Sequence, residues 1–362
     1  DKLNKAENMT VYAQWRYCIT FYYNNGSGTE KVKGKHNDKI TLPSPFFGGH
    51  KGVWQSGGVN YQFGSQYTFD NASFNMIADW TEKTFEESRN SAGEYEIWTK
   101  RQFLWLRNYA MNGMKFSLKT DLEYRFLANW QPIEEFNGTL YGNGHKITYS
   151  HVAIESDFGF ITTNYGTIDG VRFSPSIGMS ANADKMKSFI IGGAVAVNKG
   201  MLRNVEVLKN INEPTISSSY VETDIAFKEC LYNVGGVAGH NYGTVENCKN
   251  YASIGGTAHI GGIASLNMEG AKIINCENHG KILYNKASAL DACIGGIAGT
   301  VRKNGTVTGC KNYAVISWAM RISASRSTAP RIAQCVGQLS NSATYSGNSA
   351  FGSVIIDNNV LL

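Results

Sequence analysis

The strongest constraint on what this chain can fold into is a phrase that repeats. An apolar-Gly-Gly-apolar tetrad returns as Ile191-Gly192-Gly193-Ala194, Val234-Gly235-Gly236-Val237, Ile260-Gly261-Gly262-Ile263 and Ile294-Gly295-Gly296-Ile297, with Phe158-Gly159-Phe160-Ile161 as a degenerate earlier copy. A polar turn follows, as in Asn164-Tyr165-Gly166-Thr167-Ile168, Asn198-Lys199-Gly200-Met201-Leu202, Asn241-Tyr242-Gly243-Thr244-Val245 and Lys303-Asn304-Gly305-Thr306-Val307. Gly or Asn in such a turn predicts a positive φ. Three residues after the apolar end of each phrase stand Val171, Val205, Cys248 and Cys310, with Cys276 in the same place after Ile273. That column is small and apolar. Before it come Gly170, Asn204, Asn247, Asn275 and Gly309, which tolerate a left-handed kink, and after it Arg172, Glu206, Lys249, Glu277 and Lys311, which must face water.

Ile254, Ile282 and Ile316 recur six residues past the cysteine and give a third inward position, hence three short strands per unit. Val234 to Ile260 is 26 residues and Ile260 to Ile294 is 34, an inequality that inserts explain. Each unit is one coil that cannot bury its inner face alone; coils stacked about 4.8 Å apart join their inner columns into one core. The fold expected is all-β, a right-handed parallel β-helix. With 39 Gly, 19 Tyr and 17 Phe against 17% charged residues, composition favours strands and turns over solvated helices. An open coil exposes strand edges, so a lid is needed. Thr99 followed by a helical stretch over 100–112, with Phe103, Leu106 and Ala110 on one face and Gly113 as its stop, predicts a cap on the amino-terminal coil.

The earlier residues differ. Between Arg16 and Trp80 apolar and polar residues alternate in short runs, Cys18-Ile19-Thr20-Phe21-Tyr22-Tyr23, Lys39-Ile40-Thr41-Leu42-Pro43 and Phe74-Asn75-Met76-Ile77-Ala78-Asp79-Trp80, punctuated by Pro and Gly. Met9-Thr10-Val11-Tyr12-Ala13-Gln14-Trp15 pre-echoes the closing phrase, so residues 1–15 are expected to be the tail of a preceding copy. Residues 81–93 are charged and lack large aliphatics, as a linker would. The expected domains are a β-module over 16–80 and a solenoid over 94–362.

Ile19-Thr20-Phe21, Ile40-Thr41-Leu42-Pro43, Tyr67-Thr68-Phe69-Asp70 and Ile77-Ala78-Asp79-Trp80 resemble the Listeria-Bacteroides repeat, also called the internalin B-repeat. The Trp54 region departs from the usual Gly-Trp phrase of that family. The resemblance implies a small β-grasp-like fold found in tandem on bacterial surface proteins. Phe136-Asn137-Gly138-Thr139-Leu140-Tyr141-Gly142-Asn143-Gly144-His145-Lys146-Ile147, with the Gly-Gly units after it, resembles the GLUG-motif β-helix, which implies adhesin-like proteins and regions beside the protease domain of some IgA-cleaving metalloproteases.

Function has to come from sites, not from fold. The net charge of +5 and the lack of a Lys/Arg run give no footprint for nucleic acid, and no apolar stretch has membrane-spanning length. Cys248, Cys276 and Cys310 share a column with valines, so they read as packing thiols rather than metal ligands, and Cys293 with Cys335 suggests a second stacked pair. Gly236-Val237-Ala238-Gly239 superficially resembles a phosphate loop, but a strand and not a helix follows it. No His-Glu-x-x-His occurs, so the metalloprotease chemistry of the IgA-cleaving relatives does not reside here. A polysaccharide lyase needs carboxylates plus Lys or Arg converging in a groove. Asp169, Glu206, Lys249, Glu277 and Lys311 look instead like a paired, solvated column. Asn250, Asn278 and Asn312 stack into an expected amide ladder.

Binding is expected in the inserts, Asn210 to Cys230 and Ser317 to Gln334. The second carries Trp318, Arg321, Arg326 and Arg331 with no acidic residue, a set suited to an anionic or sugar ligand. The expectation is a non-catalytic interaction protein, at a bacterial cell surface or secreted, that meets a host surface protein or glycan and holds no metal or cofactor. The alternatives are a carbohydrate-active β-helix enzyme and a non-catalytic flank of a larger secreted protease.

Overall fold

A computed structural model of the protein describes residues 16–70, 72–109, 111, 113–124, 130–154, 156–179, 188–208, 216–217, 231–284, 292–319 and 331–357. They divide into two compact units, with the boundary between Ser88 and Arg89.

The first unit is built on strands β1 (Tyr17–Tyr22), β2 (Thr29–Gly34), β3 (Lys39–Thr41), β4 (His50–Ser56), β5 (Val59–Gln62), β6 (Gln66–Thr68) and β7 (Phe74–Glu82). Its sheet has the order β2-β1-β7-β4-β5, with β1 and β7 parallel at the centre and an antiparallel hairpin on each side; β3 and β6 pair separately. Alternation puts Ile19 and Phe21 of β1 and Met76 and Ala78 of β7 into one core with Leu42, Trp54 and Phe69. Trp54 thus fills the centre of the module. Of the segment expected as a linker, Thr81 and Glu82 complete β7, Glu87 pairs with Lys51, and Ser88 is buried.

The second unit is a parallel β-helix. One coil reads Leu231–Gly235, Ala238–Asn241, Thr244–Glu246, Lys249–Asn250 and Ile254–Gly256. Five short strands per coil, rather than the three expected, distribute over four sheets. Sheet I takes the strand that enters the Gly-Gly phrase, sheet II the strand after it, sheet III the strand after the polar turn, and sheet IV the last two. The extra strands arise because the chain bends again at the Gly-Gly phrase and within sheet IV, dividing segments that the sequence pattern joined.

The inner columns align as the repeat requires. Val171, Val205, Cys248, Cys276 and Cys310 are all fully buried, as are Ile191, Val234, Ile260 and Ile294 in sheet I and Ile254, Ile282 and Ile316 in sheet IV. Gly170, Asn204, Asn247, Asn275 and Gly309 all carry a positive φ, from 52° to 67°, which turns the chain from sheet III into sheet IV. The polar turns differ from expectation. Among their residues only Asn304 has a positive φ. The glycine is required there by proximity, since a Cβ on Gly243 would strike the Gly200 carbonyl oxygen and one on Gly200 that of Gly166.

The amino-terminal end is closed. Strand β8 (Glu94–Ile97) leads into α1 (Lys100–Phe103) and α2 (Trp105–Tyr109), and β9 (Lys115–Leu118) returns to pair with β8 in sheet III. Thr99 caps α1 by accepting from the Gln102 N–H. The helix expected over 100–112 is broken at Leu104, where the Leu104 and Arg107 N–H groups bond three residues back, to Arg101 and Leu104. That tighter winding places Phe103 and Leu106, three apart and both buried, on one line. Phe103 meets Phe160 edge-on at 5.4 Å, and Phe160 stacks on Trp130 at 4.3 Å, an aromatic layer under the first coils.

Candidate ligand-binding surface

The four residues expected to bind ligand are only partly placed. Trp318 lies in the strand Ile316–Ala319 of sheet IV, its Cα opposite Tyr284 on one side and Ile356 on the other. Arg331 is exposed and opens the strand Arg331–Ala333 of sheet I, opposite Cys293. Arg321 and Arg326 lie outside the described residues. The insert is shorter than expected, because both of its ends are strand; Trp318 and Arg331 stand on different sheets, at its departure and its return.

The scaffold imposes a common geometry on the inserts. Sheet IV strands end at Met179, Ser217, Tyr284 and Ala319, and the sheet I strands that follow them begin at Ser188, Leu231, Cys293 and Arg331. The coil at Gly256–Ile260 spans the same corner with only Thr257, Ala258 and His259. Sheets must keep their rungs in register, so added length falls between strands; most of it is at this corner, with further additions from Val207 to Ile216, against Asn250 to Ile254, and from Asn267 to Lys272, against Asn241 to Thr244.

The outward charges are paired. In sheet IV, Arg172 lies 3.3 Å from Glu206, while Glu277 is approached by His279 at 3.1 Å, Lys249 at 3.6 Å and Lys311 at 3.8 Å. Asp169 is not in that column. It sits in sheet III opposite Arg203, which donates to it at 2.6 Å from one guanidinium NH2, and Asn204 Nδ2 donates at 2.8 Å. Burial pushes the Asp169 carboxyl up, but the hydrogen bonds from Arg203 and Asn204 outweigh it and hold the group below its ordinary range. At Glu277 burial likewise works upward, and the His279 hydrogen bond with the nearby lysines prevails downward. A proton-abstracting carboxylate needs the opposite tuning. Asp157 does have a raised pKa, from burial, but it is occupied in accepting the Ile190 N–H at 2.8 Å.

The cysteines stack as small apolar groups. The Cys248 N–H points to Cys276 Sγ and the Cys276 N–H to Cys310 Sγ, each at 3.4 Å. Burial, and at Cys310 first the hydrogen bond with Cys276, drives both the Cys276 and Cys310 thiols far above their usual range, so neither supplies a thiolate near neutral pH. Among the described residues no group of three or more His, Cys, Asp or Glu is arranged to hold a metal. Cys293 and Cys335 do not stack on each other. Cys293 faces Arg331 across the rung, whereas the Cys335 carbonyl accepts from Ile297, because Cys335 holds the place in its coil that Ile297 holds in the one before.

Two side-chain ladders accompany the coils. The expected one runs from Asn250 Nδ2 to Asn278 Oδ1 and from Asn278 Nδ2 to Asn312 Oδ1, each at 2.9 Å. A second, not foreseen, joins Asn164, Asn198, Asn241 and Asn267 at 2.7–2.8 Å. The recurrent Asn of the polar turns was its signal. Next to the first ladder, Tyr251, His279, Tyr313 and Phe351 stack face to face at 4.6–4.9 Å, foreshadowed by Asn-Tyr, Asn-His and Asn-Tyr dipeptides. A stack of this kind spends its ring faces on its own members and offers mostly edges outward.

The family model for the GLUG motif matches residues 231–254, which is one coil from its sheet I strand to the start of its last sheet IV strand. Among solved structures, a Bacteroides ovatus protein described as a putative immunoglobulin A1 protease is similar over 75% of this chain and 87% of its own, at 17% identity and a TM-score of 0.42. No curated protein matches the chain.

Proposed function

We propose that this chain is a non-catalytic extracellular interaction protein, in which the GLUG-type solenoid is a rigid platform for inserts that meet a host surface protein or a glycan. The observation that carries this reading is the common corner. Four steps from sheet IV to sheet I, 179–188, 217–231, 284–293 and 319–331, are longer than the step 256–260, and all four leave and return at that one corner. Pairing of the outward carboxylates with Arg203, Arg172, Lys249 and Lys311 speaks against a lyase groove, which needs an unpaired base. In this reading the first unit is a spacer of the Listeria-Bacteroides type, and the protein sits at a bacterial cell surface or is secreted.

The test is binding of the whole chain to an array of host and bacterial glycans, repeated with Trp318→Ala and Arg326→Ala. The expected result is capture of a defined glycan class that both substitutions weaken about ten-fold, the loss of one stacking or guanidinium contact. Equal binding by parent and variants would remove the insert from the reading. Incubation with acidic polysaccharides should release no unsaturated ends; if it does, the protein is an enzyme.

A further inference from the structure

The corner from sheet II to sheet III carries an outward file of residues that the pairing on the other faces does not account for. The N–H of Lys199 bonds to the Asn164 carbonyl, that of Tyr242 to Asn198, that of Met268 to Asn241 and that of Arg302 to Asn267. Tyr165, Lys199, Tyr242, Met268 and Arg302 therefore stand on successive rungs, each at the point where the chain leaves its sheet II strand. Beneath them the buried ladder of Asn164, Asn198, Asn241 and Asn267 ties rung to rung, so the file is set before any ligand arrives. Thr244, Lys272 and Thr306 lie opposite one another beside it in sheet III.

Charge on this corner has one sign. Its five turns, 164–167, 198–201, 241–244, 267–272 and 301–306, hold the cations Lys199, Lys272, Arg302 and Lys303 against the single acid Glu269. All four cations are exposed, and among the described residues none of them pairs with a carboxylate, unlike Arg203 in sheet III and Arg172, Lys249 and Lys311 in sheet IV. Tyr165 and Tyr242 are 43% and 46% exposed. Lys199 Nζ lies 4.9 Å from the Tyr165 ring centre and donates to its hydroxyl at 3.2 Å, which steadies the ammonium and leaves two of its three donors for a ligand. Ring and cation alternate along the file, Tyr165, Lys199, Tyr242 and then Lys272, so like groups recur every second rung, about 9.6 Å apart. A nucleic acid strand carries a phosphate roughly every 3.4 Å, and most of its charges would find no cation here. A glycan with one acid group per disaccharide has a neutral sugar between its charges, whose apolar face suits a tyrosine ring. We propose that this file binds a linear acidic polysaccharide laid along the solenoid axis, its acid groups on Lys199 and on the group of Lys272, Arg302 and Lys303, with a neutral sugar on Tyr242. The proposal stands apart from the insert reading, since the inserts leave and return at the corner from sheet IV to sheet I.

The experiment is a calorimetric titration of the whole chain with hyaluronan, which carries one carboxylate per disaccharide, beside neutral dextran, single-stranded DNA and polyglutamate. Hyaluronan should bind saturably at low salt and dextran should not, and the binding should vanish at about 1 M salt, where charges are screened within roughly 3 Å. Lys199→Glu and Lys272→Glu should each weaken it about ten-fold, and Tyr242→Ala by a similar factor, with melting temperatures unchanged because these side chains lie outside the core. Lys281→Glu alters net charge by the same amount at an exposed site beside the sheet IV strand Ile282–Tyr284, and should bind like the parent, as should Trp318→Ala. Three results would each overturn the proposal: no saturable binding of hyaluronan at low salt, a loss as large in Lys281→Glu as in Lys199→Glu, or tighter binding of DNA or polyglutamate than of hyaluronan.

Discussion

His240 combines burial, a ring nitrogen without a partner and a large downward shift, and so sets an acid limit on this scaffold. It occupies a sheet II position between Val197 and Leu266 on the neighbouring rungs, and its Nε2 is buried with no hydrogen-bond partner. Burial first, then the nearby His259 and Arg302, lowers its pKa from 6.5 to about 4. The unfolded chain therefore takes up a proton near pH 6.5 that the folded chain refuses until about pH 4. Stability from this group is complete above pH 6.5 and falls as pH drops through that window, by about 3 kcal/mol at its lower end. Urea midpoints at pH 7 and pH 5 should separate clearly in the parent. In His240→Leu, whose side chain matches the aliphatic neighbours of its column, the gap should shrink; an unchanged gap would assign the pH dependence to another group.

At the scale of the element, the ladders decide how the coils resist substitution. Asn278 lies inside its ladder, accepting from Asn250 and donating to both Asn312 and the Gly280 carbonyl, and its oxygen accepts from the Gly280 N–H. Removing it strands buried amide groups on both neighbouring rungs. Asn312 stands at the end of the ladder, where the next rung has Ala350 and the onward bond is replaced by a longer one, 3.4 Å, from Asn312 Nδ2 to Gln334 Oε1. Unfolding in urea should show Asn278→Ala destabilised by roughly 1–3 kcal/mol more than Asn312→Ala, the cost of the additional unsatisfied group. Of these elements, the inner columns, the left-handed corners and the Asn250 ladder were legible in the sequence, because each imposes one residue type at one spacing. The division into five strands was not, since a bend at a glycine pair changes direction without changing hydrophobicity. Gly243 was legible as a glycine but not for its reason: the constraint is the Gly200 carbonyl on the next rung, which no local pattern of turn residues encodes. The binding residues were the least legible. Trp318 and Arg331 were grouped by proximity in sequence, whereas the fold assigns them to the two ends of an insert, on different sheets.

Across the solenoid as a whole, each coil is stabilised by its neighbours, so damage at one end should remain at that end for several rungs. The closed end rests on Phe103 and Leu106, fully or almost fully buried, and on the layer in which Phe103 meets Phe160 and Phe160 stacks on Trp130. Phe103→Ala removes the keystone of that layer, at a cost of about 3–5 kcal/mol for a buried phenylalanine. In a globular domain with one shared core such a loss would lower protection everywhere. Here the sheet III strands at 244–246, 272–274 and 306–308 are bonded to the strands on either side and are buried from beneath by Val245, Ile273 and Val307. Native-state hydrogen exchange should therefore show faster amides in β8, β9 and the strands at 133–141, with protection at 244–308 close to that of the parent. Uniform loss of protection along the chain would mean that the coils unfold as one cooperative block, and that the inserts could not then be altered coil by coil without weakening the platform that presents them.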